Sequence, residues 1–199
     1  MSIEASANLC CHPTTPCEEV RVIHVRLRRT NAELELNFQL EGNISRLCLL
    51  PPSGHQDRVE LWRRTCFEVF VGVEGQAAYH EFNFAPSRQW RAHAFRAYRD
   101  PVPLTNQFRA LTVATMATSE RLKLGARLVL ADLSPVHSHA PLRLGLSAVI
   151  ERVDRLLSFW ALYHSGAKPD FHHPDAFALR LEAPQPDRKR SVVDVSGRV

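Results

Sequence analysis

The sequence predicts an all-β protein, a sandwich or a closed barrel, on three observations. Apolar residues recur with a period of two, sustained helical periodicity is missing, and the short alternating runs are separated by Gly, Pro, Asn or Asp. Taken in order, "VRVIHVRLRR" is a strand that reaches a Thr30-Asn31 turn. In "AELELNFQLEGN", Leu34, Leu36, Phe38 and Leu40 alternate with Glu33, Glu35, Asn37 and Gln39, the pattern of a half-buried strand, which ends at a Gly42-Asn43 turn. The two should form a hairpin. "ISRLCLL" follows as a further strand, then a Pro51-Pro52-Ser53-Gly54 loop, then "TCFEVFVG", "YHEFNFAP", "WRAHAFRAY", "ALTVATMATS", "RLKLGARLVL", "LRLGLSAVIE", "LSFWALYH" and "AFALRLE". About ten strands result. Residues 1–18 and 184–199 lack alternation and are rich in polar residues and proline, so they are expected to be an N-terminal extension and a disordered tail around one domain spanning 19–183.

Composition limits the function classes. With 199 residues, 45% hydrophobic and 23% charged, the chain has enough apolar material for one well-buried core. The net charge of +4 arises from 25 basic against 21 acidic residues, and dense basic spots such as Arg63-Arg64 and Arg188-Lys189-Arg190 are short. No helix-turn-helix pattern, aromatic RNA-binding signature or long basic stripe appears, so no nucleic-acid partner is expected. No window approaches 18 apolar residues, so no membrane span is expected. The first fifteen residues contain Glu4 and no apolar run of signal-peptide length, and the five cysteines are odd in number, which points to reduced thiols in the cytoplasm.

Three strands carry the chemistry. Neighbours in a strand point to opposite faces, so "TCFEVFV" divides into Thr65, Phe67, Val69 and Val71 against Cys66, Glu68 and Phe70. "YHEFNFA" divides into His80, Phe82 and Phe84 against Tyr79, Glu81 and Asn83. The short Gly72-to-Gln76 connection makes these strands antiparallel neighbours, placing Glu68 beside Tyr79, Glu81 and Asn83 on the face away from the core. "QWRAHAFRAYR" adds a third strand with Trp90, Ala92, Ala94, Arg96 and Tyr98 on one side and Arg91, His93, Phe95, Ala97 and Arg99 on the other. Carboxylates, a carboxamide and rings above small alanines suit a polar, polyhydroxylated ligand, with rings stacking on apolar sugar faces and Glu or Asn holding hydroxyls. The alternative is a solvated outer sheet face with tyrosines as cross-strand partners.

"LWRRTCFEVFV", "YHEFNFAPSRQWRAHAFRAYR" and "KPDFHHPDAFALRL", together with "CHPTTPC" near the start, resemble the bacterial DOMON-like domain proteins, relatives of the family 9 carbohydrate-binding modules. The resemblance runs from about Cys11 to about Leu181 and implies an antiparallel β-sandwich of jelly-roll type that binds sugars or haem. It covers Trp62, Thr65, Cys66, Phe67 and Glu68, then Tyr79, Glu81, Phe82, Asn83, Phe84, Pro86, Ser87, Trp90, Phe95, Tyr98 and Arg99, then Trp160, Leu162, His164, Pro169, Asp170, Phe171 and His172. Arg64 stands where the family often has histidine, and Arg88 where a glycine often follows the serine.

Other chemistries also have candidate donors in the sequence. Glu68 and Glu81 on paired strands have the rough spacing of a retaining glycosidase's carboxyls. "FHHPD" with His164 suggests a metal, but extended neighbours His172 and His173 diverge, and Pro174-Asp175 marks a turn. Cys10, Cys11, His12 and Cys17 offer zinc donors without a C-x-x-C knuckle. Haem would need His80 or Met116 facing an apolar pocket. The expected reading is a non-catalytic module without metal or cofactor that binds a carbohydrate or small polar molecule. Its site would be Glu68, Tyr79, Glu81, Asn83 and Trp90, with Arg99 and Asp170 as loop contacts. Trp90 would be the exposed ring and Trp160 a buried one. A structural or protein-interaction domain is the competing class.

Overall fold

The computed structural model describes residues 1–49, 60–108 and 110–185. Among them twelve strands form: β1 (Ile3–Cys11), β2 (Val20–Arg29), β3 (Glu33–Gly42), β4 (Cys66–Val73), β5 (Tyr79–Phe84), β6 (Trp90–Ala97), β7 (Asp100–Val102), β8 (Thr112–Ala117), β9 (Arg121–Val129), β10 (Leu142–Glu151), β11 (Leu157–Ala161) and β12 (Leu179–Leu181). All pair antiparallel. The all-β expectation holds, with β1 and β7 added to the strands read from the sequence. No helix among the described residues is long and apolar enough to cross a membrane.

Two layers enclose the core. One sheet runs β1-β2-β3-β9-β8 and the other β7-β6-β5-β4-β10-β11, with β12 also on β10. Leu34, Leu36, Phe38 and Leu40 of β3 point inward against Phe67, Val69 and Val71 of β4, and the Phe38 and Phe67 rings lie 5.1 Å apart across the sandwich. The chain crosses between layers from β3 to β4, from β7 to β8 and from β9 to β10, and the first and last crossings run side by side, β3 paired with β9 and β4 with β10. This is the doubled path of a jelly roll. On the first sheet's outer face Glu33, Glu35 and Glu41 meet Arg127, Arg28 and Arg121 in half-exposed pairs, which contribute little to stability. The hairpin of β2 and β3 closes through Thr30, whose hydroxyl accepts from the Glu33 amide at 2.9 Å. Gly42 ends β3 because a Cβ there would run into the Glu19 carbonyl.

Two expectations are corrected. Residues 1–18 are not a loose extension: β1 pairs with β2 from Ile3 to Leu9, and with β11 through Cys10 and Cys11, so it joins the two sheets. Its alternating Ala5, Ala7, Glu4, Ser6 and Asn8 give almost no hydrophobic signal, and its order comes from partners on both sides. "ISRLCLL" is not a strand over its described residues either: Ile44–Arg46 makes a 3-10 turn and Leu47 forms an isolated bridge to Arg152, while Leu50 lies outside the described residues. The Pro51-to-Gly54 loop, the Arg188-Lys189-Arg190 cluster and the tail from 186 onward lie outside the described residues.

Arg29 ends β2 with 0% exposure, and its guanidinium closes one end of the sandwich. It donates to the carbonyls of Leu181 (2.9 Å), Glu182 (2.7 Å), His137 (3.0 Å) and Ala140 (2.5 Å). Arg29→Met would keep the apolar stem and strand these acceptors, two of them on the segment after β9 and two at β12. A loss of about 3 kcal/mol is expected by urea unfolding, and a loss below about 1 kcal/mol would contradict this role.

Candidate functional site

Register builds the site on the outer face of the second sheet. Across β6, β5, β4 and β10 one row reads Phe95, Tyr79, Gly72 and Arg143, the next His93, Glu81, Phe70 and Gly145, and the third Arg91, Asn83, Glu68 and Ser147. Because alternation commits Phe67, Val69, Phe82 and Phe84 to the sandwich core, Glu68, Glu81 and Asn83 must face the other way. That face is not solvated. The segment between β11 and β12 folds across it, bringing His172 edge-on to Phe70 (5.1 Å) and Phe95 (5.0 Å), and Phe177 against Phe70 and Tyr79.

What remains open is a cleft of about 410 Å³. Its floor is Glu68, Glu81 and Phe70, and its walls include Trp62, His93, Phe95, Arg99, Phe159, Phe171 and His172. Trp62, 37% exposed, stands at the rim and packs edge-on against His93 at 5.6 Å. The Nε2 of His93 is buried without a hydrogen-bond partner among the described residues.

The two carboxyls are 2% and 6% exposed and differently held. Glu68 Oε2 accepts from the Ser147 hydroxyl at 2.8 Å and Oε1 from the Cys66 thiol at 3.3 Å. Glu81 Oε1 accepts from the Asn83 amide at 2.6 Å, while Oε2 lies 3.6 Å from His172 Nε2. Burial, reinforced by the Glu81 charge, pushes the Glu68 carboxyl up to about 8. Burial also raises Glu81, against the opposing pull of Asn83, His93 and Arg99. His172 is driven down to about 4 by burial and then by the Arg99 charge, so its ring is neutral near pH 7. The pair on the floor therefore holds a proton at neutral pH and the histidine above it does not.

The residues expected from the sequence separate into three groups. Glu68, Glu81 and Arg99 line the cleft. Asn83, Tyr79 and Asp170 stand behind it: Asn83 holds Glu81, Tyr79 bonds His172 Nδ1 at 2.8 Å, and Asp170 grips Arg99 Nη2 at 2.7 Å and the Tyr98 hydroxyl at 2.6 Å. Trp90 is corrected. Its register partner is Phe84 and its ring packs at 6.2 Å from Phe108, so it lies on the core face and Trp62 supplies the exposed indole. Trp160 is buried, as alternation required. Alternation groups His93 and Phe95 on one face of β6 without saying which face meets the cleft, and His172 and Phe171 sit on a loop that no periodicity ties to the sheet.

The competing donor sets are engaged elsewhere. His173 turns outward and caps the 3-10 turn at Pro174–Ala176. Cys11 bonds the Thr15 carbonyl at 3.3 Å, and the His12 ring meets the Thr14 hydroxyl and the Gly166 carbonyl. His80 faces the interior beside His137, while Met116 projects outward near Arg121 and Lys123. Arg88 adopts φ 69°, the left-handed conformation that glycine takes easily, and Arg64 pairs with Glu151 at 3.1 Å.

No family model and no curated protein sequence matches the chain. Solved structures do. A proposed carbohydrate-binding protein from Bacteroides uniformis matches with a TM-score of 0.57 and 13% identity over 77% of this chain and 75% of that one. A family 9 carbohydrate-binding module from Caldicellulosiruptor kristjanssonii matches in its cellotriose complex (TM-score 0.47, 8% identity, 83% and 78% covered) and in its glucose complex (0.49, 8%, 78% and 70%). The first of these likenesses establishes a shared fold.

The raised Glu68 carboxyl sets a pH dependence. The unfolded chain ionises this group from about 4.5 and the native state only near 8, so its contribution is full below 4.5 and is lost as pH rises through 8. Glu68→Gln should keep the Ser147 bond without the ionisation cost. Its melting temperature should match wild type near pH 5 and exceed it by roughly 4 °C or more at pH 8.5, at about 2–4 °C per kcal/mol. A difference that stays constant across that range would refute the assignment.

Proposed function

We propose that this chain is a non-catalytic binding module whose cleft takes a saccharide or a polar small molecule of similar shape. One observation carries the reading: Trp62, Phe95, Phe159 and Phe171 surround the polar atoms of Glu68, Glu81, His93 and Arg99 in one cleft. A pyranose needs this division, because its C–H faces stack on rings while its hydroxyls seek paired acceptors and donors. The volume of about 410 Å³ falls in the ordinary range for small-molecule pockets. Trp62 at the rim is positioned to stack on one face of a ring entering the cleft. The DOMON-like motifs point the same way, since Trp62, Glu68, Glu81, Phe95, Arg99 and Phe171 all fall within them.

The same geometry weighs against hydrolysis and against a purely structural role. A glycosidase needs one carboxyl free to give a proton and another free to attack or activate water. Both oxygens of Glu68 already accept hydrogen bonds from Cys66 and Ser147 in the floor. A structural domain has no use for a cleft that leaves a buried His93 nitrogen without a hydrogen-bond partner among the described residues.

Saccharides that fit should raise the melting temperature by mass action. Trp62→Ala is expected to weaken binding at least tenfold with little change in stability. Trp90→Ala should do the reverse, costing about 2 kcal/mol of stability while the folded fraction keeps its affinity in calorimetry. If no mono- or oligosaccharide in a broad panel shifts the melting temperature, the structural-domain reading replaces this one.

A further inference from the structure

The floor of the cleft has a charge imbalance that a neutral sugar does not address. Glu68 makes no ion pair among the described residues, and Glu81 has only His172, whose ring is uncharged near neutral pH. The Arg99 guanidinium acts on Glu81 from the rim but is paired with Asp170, so the two together add no net positive charge to the cleft. Around the two carboxyls stand the rings of Phe70, Phe95, Phe159, Phe171 and Trp62, and aromatic faces attract cations most strongly where water is excluded.

Resting on the saccharide reading above, we infer that the ligand is an amino sugar, its ammonium group seated between Glu68 and Glu81 and walled by aromatic rings. The donor count agrees. An ammonium offers three N–H donors, and Glu81, which lines the cleft, accepts a hydrogen bond among the described residues at Oε1 from Asn83, while Oε2 lies 3.6 Å from His172 Nε2. A hydroxyl offers one donor and no charge. The other polar groups facing the pair cannot take the ammonium's place: Cys66 and Ser147 donate from the floor to Glu68, Asn83 donates to Glu81, and His172 is tied to the Tyr79 hydroxyl. His93 stands directly opposite Glu81 in register, and its Nε2 is buried without a hydrogen-bond partner among the described residues.

Binding then moves a proton. Without ligand the carboxyl pair retains one proton; when R–NH₃⁺ enters, that proton leaves to solvent and the pair meets the cation fully ionised, with no bond in the sugar made or broken. Calorimetry at pH 6.5 compares glucosamine, galactosamine, mannosamine and chitosan oligosaccharides with their neutral and N-acetylated counterparts, in two buffers of different ionisation enthalpy. The amino forms should bind at least tenfold tighter, with a buffer-dependent heat that reports proton release, and Glu81→Gln should remove that preference. Equal affinity for neutral and N-acetylated sugars would overturn the amine assignment and leave the saccharide reading intact. A preference that survives Glu81→Gln would also overturn it, by placing the ammonium elsewhere. No binding by any sugar of either set would remove both.

Discussion

One carboxylate holds the site together. Asp170 accepts from the Arg99 side chain, the Tyr98 hydroxyl and the His172 backbone amide, so it fastens the segment after β11 to the tight turn between β6 and β7. The turn needs the help, because Arg99 sits at φ 50°, where a side chain is strained and glycine is not. Burial works against a charge at Asp170, but the bonds from Tyr98 and Arg99 outweigh it and hold the carboxyl below its ordinary value. Charge-assisted bonds of this kind are among the strongest a surface loop can make. The rest follows from the covering they maintain. With the loop in place Phe171 and His172 roof the sheet, and Glu68 and Glu81 lose their water.

The two sheets show what that covering changes. They share one core and similar strands, yet the first exposes its outer face, where Arg28, Arg121 and Arg127 meet glutamates in bulk water. On the second, β4 is buried along its whole length, one side in the sandwich and the other under the loop and cleft. A glutamate on the first face is an ordinary surface charge. A glutamate on the second is a desolvated acid beside another, and such placements persist where stability is traded for function.

What the sequence disclosed follows the same division. Alternation was decisive on β4 and β5, because one of the two faces of each was plainly apolar; Glu68, Glu81 and Asn83 could be oriented without coordinates. On β6 both faces carry rings and are half-buried, and the sequence offers no internal reason to prefer Trp90 or His93 for the cleft. Only the pairing of Phe84 with Trp90 and of Glu81 with His93 decides it. Trp62, Phe171 and His172 reach the site from irregular segments, where spacing along the chain does not translate into direction in space. The first strand was illegible for a different reason: alanine and serine carry too little hydrophobic contrast to mark a face.

That first strand has a consequence for biosynthesis. As β1 leaves the ribosome it has a nearby partner in β2, but Cys10 and Cys11 have none until β11 is made, roughly 150 residues later. The seam between the two layers therefore closes late, when β11 meets a strand made roughly 150 residues before it. Until β11 is in place the β10 edge of the second layer stays open, a sticky border that a crowded cell has to keep from neighbouring chains.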